Sequence, residues 1–173
     1  MNEFDAISDE IVSLIAEWEP KLISLDREVI SLPRNTQHRN IRQIVGHLLD
    51  SASNNTHRVV HLQYQPSPLI FPNYATFGNN DRWIAIQNYE EENWPELVQV
   101  WKYALLHYSH VIKNVQEEKL DNEWIAGPDL KITLKEMIFD FIPHLKLHLS
   151  EIDELKNSGS KQTRDTGPEF VPV

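Results

Sequence analysis

At 173 residues, with no cysteine and a formal charge of −10 from 26 acidic against 16 basic side chains, the chain fits one domain able to bury roughly 70% of its unfolded surface. The missing cysteines exclude disulfides, thiolate metal sites and a cysteine nucleophile, so any sulfur chemistry needs a thiol brought in by a substrate. The acidic balance opposes phosphate backbones and anionic membrane surfaces, which argues against nucleic acid and membrane as partners.

The opening MNEFDAISDE has neither the basic nor the apolar region of a secretion signal, and no apolar run nears the roughly 18 residues of a membrane span. A cytoplasmic protein is expected. Apolar residues at Ile7, Ile11, Leu14, Trp18, Leu22, Leu25 and Val29 recur in threes and fours, which predicts a first helix over 7–30 with a kink or break at Pro20. The pattern resumes at Ile41, Val45, Leu48, Ala52, Asn55, Val59 and Leu62, predicting a second helix over 40–64. Residues 65–93, rich in proline and asparagine and carrying Phe71, Tyr74, Phe77 and Trp83, predict a long crossover along the bundle that walls a pocket or packs on the core. Trp94, Val98, Trp101, Leu105, Tyr108, Ile112 and Val115 form the seam of a third helix over 93–118, either core or the face of a homodimer.

A connection around Gly127-Pro128-Asp129 precedes Thr133, whose spacing to Glu136 is that of a capping box. The fourth helix is expected over 133–156, stopped by Asn157-Ser158-Gly159-Ser160. Residues 1–157 would then form the bundle and 158–173 a mobile or surface-draped tail. No strand pattern is evident. The fold class is all-α, a four-helix bundle with a long crossover between its second and third helices.

His148 occupies a seam position of the fourth helix where its neighbours are Leu145, Phe141 and Ile152, and a histidine there needs a polar partner. His144 lies one turn earlier, about 6 Å away along the axis, a spacing suited to a shared metal. His47 opens a polar stripe on the second helix, His47, Ser51, Asn54, Arg58 and His61, and falls at a matching height if the second and fourth helices are antiparallel. Three imidazoles with an open position describe a catalytic metal site. His57 with His61 repeats the spacing, and His107 with His110 lies one turn apart; both pairs stand beside the seams and read as surface or boundary histidines. His38, in a connection, reads as exposed. Neither Glu-x-x-His nor His-Glu-x-x-His occurs, which argues against a carboxylate-bridged di-iron site and a zinc-protease helix.

The segments NIRQIVGHLLDSA, residues 40–52, and TLKEMIFDFIPHLKLHLSEI, residues 133–152, resemble the second- and fourth-helix signatures of the DinB/YfiT-like superfamily of metalloenzymes. The likeness covers roughly residues 5–156. It implies a four-helix bundle with His47, His144 and His148 as ligands, the triad that the seam positions select. It departs at Leu145, where many relatives have an acidic residue, and at Leu147-His148, where they often double the histidine. Superfamily members with known activity include thiol-dependent transferases and isomerases, so the resemblance implies a low-molecular-weight thiol as a candidate co-substrate.

The expected activity is that of a divalent-metal enzyme presenting a substrate thiol or water to an electrophilic small molecule, as an S-transferase or a hydrolase. Zinc and nickel suit imidazole ligands first, iron and copper next. Asp50, Ser51, Asn54 and Arg58 are candidates to orient the ligands or an anionic substrate. The alternative is a non-enzymatic, metal-stabilised bundle acting as an oligomeric interaction protein.

Overall fold

The computed structural model describes residues 3–32, 34–72 and 79–162. Helix α1 spans Asp5–Ile23 and α2 spans Arg27–Ser31, in place of one helix over 7–30. Pro20 lies inside α1 and does not break it. Pro20 forgoes the N–H bond to the Ala16 carbonyl, yet its own carbonyl still accepts the Ser24 N–H at 3.2 Å. Helix α3, Ile41–Tyr64, begins at a complete capping box in which the Asn40 side chain accepts the Gln43 N–H and Gln43 returns the bond.

The long connection holds a helix that its irregular composition hides, α4 at Asn79–Gln87. Behind it, Tyr89 lies flat on α3. A Cβ added at Gly46 would meet the Tyr89 ring at 2.2 Å, so glycine is what admits this close approach. Helix α5 runs Trp94–Ile112, capped by Asn93, and stops six residues short of the expected end. All seven residues of its predicted seam are buried.

The expectation of no strands is overturned by a hairpin, β1 at Glu123–Gly127 and β2 at Leu130–Thr133, paired antiparallel with Trp124 opposite Ile132. Its strands flank the Pro128-Asp129 turn and are too short for an alternating pattern to register. Leu69 adds a parallel bridge to Trp124, exchanging bonds with the Glu123 carbonyl and the Ile125 N–H. This ties the connection to the hairpin. Helix α6, Leu134–Gln162, carries on through the predicted stop at 157–160, and of the predicted tail residues 163–173 lie outside the described residues.

Contacts at both ends of each helix pair fix the topology. Ser8 bonds Ser109 at one end of α1 and Trp94 bonds the Leu22 carbonyl at the other, so α1 and α5 are antiparallel. Arg42 reaches the Glu92 carbonyl, and Gln63 accepts from the Gln116 N–H, so α3 and α5 are parallel. Asn35 bonds Glu151 while Asn122 bonds the Leu62 carbonyl, which sets α3 antiparallel to α6. The four long helices therefore run up, down, down, up, and residues 65–93 are the crossover that parallel neighbours require. Among the described residues no helix is long and apolar enough to cross a membrane.

Candidate metal centre

Two capping boxes set the register of the site. The one at Asn40 starts α3 so that His47, Ser51, Asn55 and Arg58, at steps of four, four and three, share a face. The one at Thr133 and Glu136, with bonds of 2.9 and 3.1 Å, starts α6 so that Met137, Phe141, His144 and His148 face α3 across the cleft. The bond that Glu136 accepts from the Thr133 backbone also draws its carboxyl below the usual range. Pro143 sits inside α6 beside His144, and the helix continues through it.

The side-chain ligand atoms of His47, His144 and His148 lie within 4.8 Å of one another. Ring centroids are 5.4 Å apart for His47 and His144, 4.7 Å for His47 and His148, and 4.6 Å for His144 and His148. Nitrogens bound tetrahedrally to one ion at about 2.0–2.1 Å stand about 3.3 Å apart, so small side-chain rotations close the set. His47 and His148 are buried and His144 is half-buried. Burial pushes the His47 imidazole down to about 2, with the charges of His148, His144 and Arg39 adding to it, and burial with His148 and Arg39 lowers His144 to about 4. Both are neutral at pH 7, the form that binds a metal.

Glu151 is absent from the residues that the sequence singles out. Its Oε2 lies 2.9 Å from His148 Nδ1 and accepts a bond from Asn35 at 3.1 Å. A carboxylate on Nδ1 holds the proton there and leaves Nε2 as the ligand nitrogen. The signal that could have found it is His-x-x-Glu at 148–151, the reverse of the Glu-x-x-His motif of di-iron bundles. Arg39, also missed, is buried in the chain leading into α3 and bonds Asp81 of α4 through Nε and Nη2 at 3.0 and 2.6 Å.

The triad opens on a cleft of about 490 Å³. Of the four residues expected around it, Ser51 and Arg58 line the cleft, whereas Asp50 and Asn54 do not. Asp50 sits about 60° around α3 from His47, on the side away from Ser51. It accepts from Tyr89 and Gln87, each at 2.7 Å, and burial raises its carboxyl. Asn54 turns back to the Asp50 carbonyl at 2.8 Å.

Among the described residues the hairpin walls the cleft through Trp124, Ala126, Leu130 and Ile132, and Asn80 of α4 joins it from the long connection. Phe71 supports Trp124 from behind at a centroid distance of 6.2 Å, and Trp83 is exposed. Tyr74 and Phe77 lie outside the described residues.

The bundle has the fold of a protein of known structure. YfiT from Bacillus subtilis, described as a probable metal-dependent hydrolase with an unusual four-helix bundle topology, is similar to this chain with a TM-score of 0.70 over 87% of this chain and 86% of that one. The two share 18% sequence identity. No protein-family model and no curated protein matches the chain.

Proposed function

We propose that the protein is a metal-dependent enzyme in which His47, His144 and His148 hold one divalent ion, zinc or nickel first by ligand chemistry, for reaction on a small molecule. The observation that carries this reading is the convergence of three imidazoles, two of them held neutral, on the wall of an open cleft. An ion bound there supplies Lewis acidity and lowers the pKa of a thiol or water. The chain's own residues do the rest: Glu151 keeps the proton on His148 Nδ1, Asn35 holds Glu151, and the Arg39–Asp81 pair closes one end of the site.

Water as nucleophile makes the protein a hydrolase, and a low-molecular-weight thiol makes it an S-transferase. The description of YfiT favours the first, and the absence of cysteine in this chain means that a thiol would enter as a co-substrate. An interaction protein built on a stabilising metal is the weaker reading, because Trp94, Trp101 and Tyr108, its proposed dimer seam, are buried in the bundle's own core and the triad faces open space.

The test is turnover by metal-stripped protein, reloaded separately with zinc and nickel, on activated esters and amides and on alkyl electrophiles with and without added thiols. Metal-restored activity that is lost in His47→Ala is the expected result. Failure of the protein to take up about one ion, or activity indifferent to the metal, would overturn the reading.

A further inference from the structure

The cleft beside the triad has two unlike walls. The α3 side is polar, with Ser51 and Asn55 one and two turns on from His47, whereas the hairpin and α6 supply the apolar side chains. Phe141 and Met137 form the α6 part, both buried, and the Tyr108 ring backs Phe141 at a centroid distance of 4.2 Å. Trp124 and Ile132 form the hairpin part, and their pairing across the two strands puts both side chains on one face of the ribbon. Trp124 is braced: Phe71 meets it edge to face, and the Arg58 guanidinium stacks on it with Cζ 4.3 Å from the ring. At the mouth stand Leu130 of β2 and Leu147 of α6, 54% and 57% exposed, and both line the cleft. An exposed leucine standing singly needs no account, but these two line one cleft and continue its buried wall out to solvent.

We propose that the cleft takes a small molecule with an uncharged, apolar tail, which lies between Phe141 and Met137 of α6 and Trp124 and Ile132 of the hairpin while its reacting head lies at the histidine triad. Only the placing of the head rests on the metal-enzyme reading above. Met137 precedes His144 by seven positions, so at ~1.5 Å per residue the wall extends about 10 Å from the triad. A cleft of about 490 Å³ holds a molecule of that length together with its head. None of the four side chains along this stretch is ionisable, and a charge buried against them would lose its hydration without a partner. A second copy of the chain is the other candidate for an apolar mouth. A stable protein interface, however, buries roughly 800 Å² on each partner, and two half-exposed leucines supply a small part of that.

The probes are straight-chain alkanehydroxamates of roughly two to ten carbons, whose hydroxamate head chelates zinc, titrated calorimetrically into zinc-loaded protein. Affinity should rise about fourfold per added methylene and level off once the tail outruns the wall. Hydroxamates with an oligoether tail of equal length should bind no more tightly than acetohydroxamate. Ile132→Thr, which keeps a β-branched residue on the strand, should cut the gain of the longest chains severalfold while leaving zinc stoichiometry and acetohydroxamate affinity in place. Leu130→Gln, at an exposed position, should weaken the longer chains in the same way. Affinity that does not change with chain length would overturn the proposal, as would a rise that survives both substitutions together. A dimer that Leu130→Gln dissociates would also overturn it, by giving the mouth to a second copy. n-Alkanols, which lack a chelating head, separate the two readings: if they show the same length dependence, flattened by Ile132→Thr, while zinc adds nothing to the affinity of any hydroxamate, the apolar wall stands and the metal reading falls.

Discussion

Two pairs of histidines in this molecule share one spacing and nearly one geometry. His144 and His148 on α6 have ring centroids 4.6 Å apart, and His57 and His61 on α3 have them 4.8 Å apart; both pairs meet edge to face. What separates them is what surrounds each ring. The α6 pair faces His47 across a helix interface, is largely removed from water, and has a carboxylate fixing the proton of one member. In the α3 pair His57 is exposed, and His61 Nδ1 is engaged by Tyr64 and Gln65, each at 2.6 Å. A four-residue histidine repeat is thus a property of one helix, whereas a cluster of three imidazoles is a property of the contact between two. The third imidazole and the partner of the second nitrogen carry the distinction.

The largest effect expected from breaking this contrast is at His148. His148→Ala should abolish metal uptake, reading near zero by elemental analysis, and leave a cavity that destabilises the apo bundle by about 2 to 3 kcal/mol. His148→Leu should abolish uptake equally while losing about 1 kcal/mol or less of apo stability, since a leucine suits a seam position flanked by Leu145 and Ile152. Denaturant titration of the two metal-free variants checks the pair. Full metal affinity in either variant would remove the triad from consideration.

Glu151→Gln comes next, because it keeps the shape and removes the charge on His148 Nδ1. Loss of such a partner lowers metal affinity about 10- to 100-fold without removing a ligand. Competition with a chelator of known affinity measures it. Unchanged affinity would mean that Glu151 only holds Asn35.

Acid should distinguish the buried triad by stability as well as by metal release. His47 and His144 are held below the ordinary histidine value of about 6.5 in the folded chain. Below pH 6.5 the unfolded state therefore binds more protons than the native state, and stability falls as pH drops, down to about 4 for His144 and about 2 for His47. Between pH 6.5 and 5 the His47 contribution is about 2 kcal/mol at most. Metal-free His47→Gln should show a correspondingly flatter profile in denaturant titrations at the two pH values. Equal slopes would place His47 outside the interior.

The helical framework and the histidine positions are legible in the sequence because both rest on local periodicity. A histidine in a leucine seam is visible without coordinates, and the periodicity that resumes at Ile41 bounds the start of α3 to within a residue. The strands are not legible, because five and four residues around a proline turn are shorter than any window that separates alternation from chance. Adjacency along the chain suggests Asp50 and Asn54 as site residues. The register of α3 sends Asp50 toward Tyr89 instead, a choice fixed by Gly46, whose bare Cα lets that ring approach. Trp124, Arg39 and Asn35 reach the site only through tertiary folding, and no local pattern singles them out. The helix within 65–93 is obscured for a related reason: α4 buries only Ile84 among its residues, so it leaves almost no amphipathic trace.

The smallest effect is expected at the other histidines. Exchanging His57, His61, His107 or His110 for Gln, one at a time, should leave metal stoichiometry and affinity unchanged. His57, His107 and His110 are exposed, and an exposed imidazole gains little by exchanging water for a single shared ion. His61 is the sharper case, because it has a histidine neighbour, partial burial and an aromatic contact with Phe71 at 5.8 Å. Its Nδ1 faces the Tyr64 hydroxyl and the Gln65 amide, and among the described residues the convergence of three ligand atoms on one point involves only His47, His144 and His148. Two imidazoles without a third bind zinc weakly compared with a set that supplies three ligands and a fixed tautomer. His61→Gln should therefore cost only the local contact, within about 0.5 kcal/mol of stability. Loss of metal on this exchange would show that spacing alone had been enough, and would move the centre from the α3–α6 interface to the end of α3.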